Sequence, residues 1–135
     1  MVKFLSPSWV EQAKAIILRE LDPVNDLKSA TASFILVITN IPPEGATRSV
    51  YVSVAKGKLT DMLLEERDLS SEKNAEFVVV GNYDTFVQIM QGTMSVVGAL
   101  LKGRVEFKGN TMKALTFQQP IDKIMECLRK IAAEY

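Results

Sequence analysis

Residues that could do chemistry are few in this chain, and their spacing suits it poorly. Asp61, Glu65 and Glu66 lie in KLTDMLLEER (58–67), interleaved with Leu63 and Leu64. On a strand, Asp61 and Glu65 share a face, which is what a carboxylate pair needs for general acid–base work. The same alternation is that of a solvated strand face, and this is the stronger reading. Asp84 is the other carboxylate available to an enzyme. It falls in the first turn of a helix that Asn82 can cap, where negative charge is favoured without any catalytic role. Cys127 is the single cysteine. It sits between Met125 and Leu128 on an apolar helical stripe, and the chain has no histidine to activate it, so it reads as a buried, inert thiol. No glycine-rich phosphate loop is present. GNYDTF lacks a lysine, and Gly92, Gly98, Gly103 and Gly109 are wrongly spaced for a dinucleotide fingerprint.

Composition excludes further classes. Sixteen basic residues balance sixteen acidic ones among 135 residues, so nothing steers the chain toward nucleic acid or an anionic surface. Without histidine the commonest metal ligand is missing, and no metal or cofactor is expected. One cysteine allows no internal disulfide, as suits a reducing compartment. MVKFLSPSWVEQAK lacks the apolar core of a signal peptide, AAEY is not a peroxisomal address, and no apolar run reaches the roughly 18–20 residues of a membrane span. A single cytoplasmic domain over residues 1–135 is expected.

The elements follow from periodicity. Ser6-Pro7 starts a helix over residues 8–21, with Trp9, Val10, Ala13, Ile16, Ile17 and Leu21 on one face. SFILVIT (33–39) is a strand apolar on both faces. SVYVSVA (49–55) alternates, with Val50, Val52 and Val54 on one side and Tyr51 and Ser53 on the other. With 58–67 and EFVVV (76–80), these strands suggest an antiparallel meander. Helices then dominate. One runs from Asn82 to Gly92, carrying Tyr83, Phe86, Val87 and Met90. A second, capped by Thr93, spans 94–102 and ends at Gly103. RVEFK (104–108) is a strand with Val105 and Phe107 inward. Residues 111–117 look helical, with Met112 and Leu115 on one side. Pro120 opens a last helix whose stripe is Ile121, Ile124, Met125, Leu128, Ile131 and Ala132. Strands first and helices after give an α+β domain, with helices on one face of a largely antiparallel sheet.

An apolar surplus is left over. MSVVGALL (94–101) is hydrophobic all round, which normally means burial on every side. Met62, Met90, Met94, Met112 and Met125 fall on inward stripes, and methionine adapts to irregular apolar volumes, including loosely specific binding sites. On composition alone the surplus reads as solid core rather than cavity. Lys102, Arg104 and Lys108 form a small basic group that fits either plain surface or a pocket mouth facing an acidic head group.

The segment FVVVGNYDTFVQIMQGTMSVVGALLKGRVEFKGNTMKAL (77–115) resembles the sterol carrier protein 2 domain family. The marks are Asp84, Phe86, Gly92, Met94, Gly103, Phe107, Gly109, Asn110, Met112 and Ala114, in the order helix, glycine, short helix, glycine, alternating strand, Gly-Asn turn and helix. The N-terminal half agrees in element order, although YVSVAKGKLTDMLLEERD lacks a tryptophan that the family carries on its second or third strand. The resemblance implies a five-stranded sheet, helices over one face and an enclosed apolar tunnel. It turns the surplus from solid core to cavity wall.

It also implies non-enzymatic binding and transport of a long-chain fatty acyl, acyl-CoA, sterol or related lipid. Phe86, Met90, Met94, Val97, Leu101, Phe107, Met112, Leu115 and Met125 are the expected ligand-binding residues, and Leu101→Trp is expected to block uptake. The expected partners are the hydrophobic small molecule and a membrane met transiently, with no nucleic acid. The Tyr51/Ser53 strand face is left to solvent or to a second copy of the chain in a homodimer. The rival to the carrier is an interaction or dimerisation module like the accessory domains of larger enzymes.

Overall fold

A computed structural model describes residues 1–135. In chain order the elements are β1 (Val2–Lys3), α1 (Pro7–Glu20), β2 (Ala32–Ile41), β3 (Ala46–Ala55), β4 (Lys58–Glu65), β5 (Phe77–Asn82), α2 (Tyr83–Met90), α3 (Val96–Leu101), β6 (Val105–Lys108), α4 (Thr111–Leu115), α5 (Gln118–Leu128) and β7 (Ala133–Glu134). The main sheet has five strands in the order β4-β3-β2-β5-β6. Helices cover one face, as an α+β layer requires.

The sheet is not a simple meander. The pairs β2–β3, β3–β4 and β5–β6 are antiparallel, but β5 runs parallel to β2, with Phe34 beside Phe77 and Val37 beside Val80. Parallel neighbours cannot be joined by a tight hairpin. Here the link 66–76 leaves β4 and carries the chain past β3 and β2 on the face away from the helices. Leu69 and Ala75 of this link pack with Ile35, Val37, Tyr51, Val78 and Val80. Ser49 on β3 fixes the link: its hydroxyl donates to the Arg67 carbonyl at 2.6 Å and accepts from the Leu69 N–H at 3.0 Å. The Lys73 ammonium lies 4.3 Å over the Tyr51 ring. This explains why SFILVIT is apolar on both sides: Ile35 and Val37 are as fully buried as residues on the helix-covered face. It also means that the chain itself covers much of the Tyr51 face.

The helical half departs from expectation at its caps. Ser95, not Thr93, caps α3, its hydroxyl accepting from the Gly98 N–H at 2.8 Å. Thr93 is already committed to α2, donating through both N–H and hydroxyl to the Gln88 carbonyl. Two cap-competent residues stand two apart, and the preceding helix takes the first. The final helix stops at Leu128, short of the Ile131–Ala132 end of its sequence stripe. Ile131 is still buried, and Ala133–Glu134 pair in parallel with Val2–Lys3, tying the two ends of the chain together. Pro120 lies in the first turn of α5, where its missing N–H costs nothing.

Truncating Leu69 should leave a cavity under the crossover link. Leu69→Ala is expected to lower stability by about 2–4 kcal/mol, read as a reduced urea midpoint at unchanged slope.

Candidate functional site

Between the sheet and the helices lies a cavity of about 190 Å³ lined by 34 residues, 31 of them hydrophobic. The strands build its floor by strict alternation. Phe34, Leu36 and Ile38 come from β2, Val50, Val52 and Val54 from β3, Met62 from β4, Val79 from β5, and Val105 and Phe107 from β6. The helices supply the roof and walls: Trp9 and Ile17 from α1, Phe86, Ile89 and Met90 from α2, Val96, Val97, Ala99 and Leu100 from α3, and Ile121, Ile124, Met125 and Leu128 from α5.

Backbone details hold these side chains in place. Asn82 caps α2, its side-chain oxygen accepting from the Thr85 N–H at 2.9 Å, and Asp84 occupies the first turn, where the helix dipole favours it. Gly81 precedes the cap. A Cβ there would meet Val105 at 2.9 Å and the Phe86 ring at 3.0 Å, so glycine lets that ring settle against the sheet. At the other end of α2, the Arg129 guanidinium donates to the carbonyls of Ile89 at 2.9 Å and Met90 at 3.1 Å. Carbonyls in a last turn lack the regular partner of the helix interior, so one arginine from the end of α5 completes α2. Periodicity gives no hint of it.

Of the nine residues expected at the site, Phe86, Met90, Val97, Phe107, Leu115 and Met125 line the cavity. Met94, Leu101 and Met112 do not. Met94 precedes the Ser95 cap and lies outside α3. Leu101 ends that helix and is 77% exposed, and Met112 is 75% exposed. The expectation of all-round burial for 94–101 is thereby corrected: Ala99 alone in α3 is fully buried. The inward placing of Met112 fails for a related reason. Helix α4 has only five residues, and it is its C-terminal end that packs down, through Ala114 and the following Phe117, on the cluster of Phe34, Phe77 and Phe107. Lys102, Arg104 and Lys108 are exposed and do not border the cavity. Sequence reasoning also missed the α1 contribution, Trp9 and Ile17, although both stand on the stripe that defines the helix.

The wall has two side chains with polar ends able to face a ligand's head group, Gln118 and Asp122, one helical turn apart on α5. Asp122 also borders a polar surface depression with Asn25, Asp26, Lys28, Gln119, Lys123 and Glu126. The polar residues of the wall therefore lie on the first turns of α5, and the depression that shares Asp122 with the cavity carries three carboxylates and two lysines.

The reactive residues do not converge. Glu65 pairs with Arg67 at 3.0 Å, and Glu66 with Arg48 at 3.6 Å. No group of three His, Cys, Asp or Glu side chains could hold a metal ion. Cys127 is buried, its thiol 3.5 Å from the Ile16 carbonyl, and burial pushes its pKa up.

A five-stranded, mostly antiparallel sheet roofed by helices over an apolar cavity defines an α+β domain with room for a hydrophobic small molecule. Residues 14–122 match the SCP-2 sterol transfer family, and the chain belongs to that family. No curated protein matches it in sequence. Among solved structures it is similar to a conserved hypothetical protein of Thermus thermophilus, described as a possible sterol carrier protein. That match has 17% identity and a TM-score of 0.81, and covers 99% of this chain and 93% of that one. It is similar to a sterol carrier protein 2 crystal structure at 18% identity and a TM-score of 0.81, over 96% of this chain and all of that one. A palmitated sterol carrier protein 2-like protein of Aedes aegypti matches at 17% identity and a TM-score of 0.54, over 95% of this chain and 96% of that one. At these identities the structures share the fold. No helix of the chain is long and apolar enough to cross a membrane.

A thiol with a raised pKa behind an intact helix should stay protonated and shielded. In the native protein at pH 8, Cys127 is expected to react with Ellman's reagent at least tenfold more slowly than in urea, where the chain is unfolded.

Proposed function

We propose that the protein is a non-enzymatic carrier of a hydrophobic small molecule with a long hydrocarbon portion, a long-chain lipid, held in the cavity between sheet and helices. The observation that carries this reading is the wall itself: it is almost wholly apolar, and its polar side chains are gathered at one end. Ligand pockets combine such a lining with a few placed polar groups that set orientation. The hydrocarbon would lie over the floor of Phe34, Leu36, Val52 and Val79, with the polar end at Gln118 and Asp122. Each buried methylene contributes about 0.8 kcal/mol, so a long chain reaches micromolar affinity after the cost of association. Membership of a sterol transfer family supports the reading, as does the palmitate carried by the Aedes aegypti relative of the same fold. Asp122 on the wall, and the depression beside it in which carboxylates outnumber lysines, support an uncharged polar end over a strongly anionic one.

The test is native mass spectrometry of freshly purified protein, with lipid analysis after denaturing extraction, followed by titration with a fluorescent acyl probe. A near-stoichiometric lipid, or probe uptake in the micromolar range, is expected. A bare mass with no probe uptake would overturn the carrier reading and favour the interaction module.

Substitutions should separate wall from surface. Ile121→Trp places a large ring on the half-buried mouth side of α5 and is expected to weaken probe binding at least tenfold while circular dichroism stays native. Leu101→Trp, at an exposed position off the wall, should leave binding within twofold of the parent. Equal effects of the two substitutions would contradict the assigned wall.

A further inference from the structure

Two large apolar side chains point into solvent where the roof is made of its shortest pieces. Leu101 is 77% exposed and Met112 is 75% exposed. Their helices place them. Leu101 follows Val97 on α3 by one turn, and Met112 precedes Leu115 on α4 by one turn, and residues so spaced are neighbours on a helix surface. Val97 and Leu115 both line the cavity. Leu101 and Met112 therefore extend into solvent the two helix faces that bound it. The exposed residues of the wall, Gln118 and Asp122, begin α5, which follows α4 after Thr116 and Phe117. The cavity thus opens beside α4.

The charge around these side chains is one-sided, although the chain as a whole is neutral. Residues 85–121 hold Lys102, Arg104, Lys108 and Lys113 against Glu106 alone, which leaves the rest of the chain net acidic. On β6, Glu106 and Lys108 alternate with the wall residues Val105 and Phe107 and so face away from the helices. Arg104 precedes the strand and turns toward the helices, its guanidinium donating to the Thr85 hydroxyl of α2 at 3.5 Å. Lys102 and Arg104 have no ion-pair partner, whereas Lys113 is paired with Glu76. Leu101 is thus followed closely by two free cations. The carboxylates of the depression beside Asp122 belong to α5 and to the loop after α1, not to α3 or α4.

We propose, on the carrier reading above, that the α3–α4 edge of the roof docks on an anionic lipid bilayer, with Leu101 and Met112 entering the acyl boundary and Lys102 and Arg104 meeting the headgroups. Apolar side chains beside basic ones bind an interface in this way. Two side chains make too small a patch for a stable protein interface, which takes about 800 Å² per partner. A bilayer needs no such area and no complementary pocket. Docked here, the hydrocarbon passes between bilayer and cavity along the faces of Val97 and Leu115 without crossing water. The other exposed apolar pair, Leu18 and Val24, stands with Glu20, Asp22 and Asp26, which an anionic surface repels.

The test is flotation with vesicles of phosphatidylcholine alone and with about 30 mol% phosphatidylserine added, together with transfer of a fluorescent acyl probe between vesicles. Native protein should bind the mixed vesicles at least threefold more strongly than the neutral ones, and the difference should vanish in about 1 M salt, where charges are screened. Leu101→Glu with Met112→Glu should lower binding to the mixed vesicles at least tenfold and slow transfer by a similar factor. Its probe affinity without vesicles should stay within twofold of the parent, since neither residue is on the wall. Lys102→Gln with Arg104→Gln should remove the preference for phosphatidylserine. Leu18→Glu, the same change at an exposed leucine of α1, should leave vesicle binding within twofold. Native protein that takes up the probe but binds neither vesicle, or binds both equally, would overturn the inference and leave the carrier reading standing. So would vesicle binding that survives the Leu101 and Met112 substitutions, or that Leu18→Glu lowers as much. If native protein takes up no probe, the carrier reading fails and this inference with it.

Discussion

Strand β2 is buried on both faces, and the rest of the fold is arranged around that demand. On one side Ile35 and Val37 need cover, and on the other Phe34, Leu36 and Ile38 do. No single layer can meet both needs. The link 66–76 meets the first, crossing behind the sheet with Leu69 pressed on Ile35 and Val37. By crossing, it delivers β5 to the free edge of β2 in parallel register, which puts β2 in the middle of the sheet. All helices are then left for the second side. The two-sided strand thus fixes the sheet order, the position of the crossover and the face on which a cavity can form.

The roof that results is made of short pieces. Helix α1 spans 14 residues and α5 spans 11, but α3 and α4 have six and five. Two such short helices cannot lay a continuous apolar face over a five-stranded sheet, so a gap remains between them and the floor. Left empty, a void of about 190 Å³ would cost on the order of 4–5 kcal/mol at the rate measured for core cavities. That is a large share of the stability of an ordinary domain. A ligand that fills the space recovers packing that the side chains cannot supply, and by linkage it stabilises the folded state. On the carrier reading, the apolar surplus in the sequence serves an interface with a small molecule as well as the core.

The sequence carries the elements well and the arrangement less well. Caps and periodicity mark α1, α2 and β6 within a residue or two, because Ser6, Asn82 and the alternation of Val105 and Phe107 act locally. The meander rests on short links alone. Its failure is signalled by SFILVIT, whose second apolar face has no purpose at the edge of a meander. The site is legible where a residue sits inside a regular element, as Phe86, Met90 and Phe107 do. It is not legible where a boundary decides: moving one cap from Thr93 to Ser95 excludes Met94, and the shortness of α4 turns Met112 outward. Trp9 reads only as core, since a periodic stripe shows that a side chain is inside and not whether it borders a cavity.

The residues that first suggest chemistry are separated by this same architecture. Asp61 and Glu65 lie on the edge strand β4, and Glu65 is held by Arg67. Asp84 stabilises the start of α2, and Cys127 faces the interior of the α1–α5 contact with its thiol against a carbonyl of α1. None of them is on the cavity wall. Asp122 is the one carboxylate, and Gln118 the one amide, on a wall otherwise made of apolar side chains, an arrangement suited to holding, desolvating and orienting a hydrophobic molecule through a few polar atoms at one end.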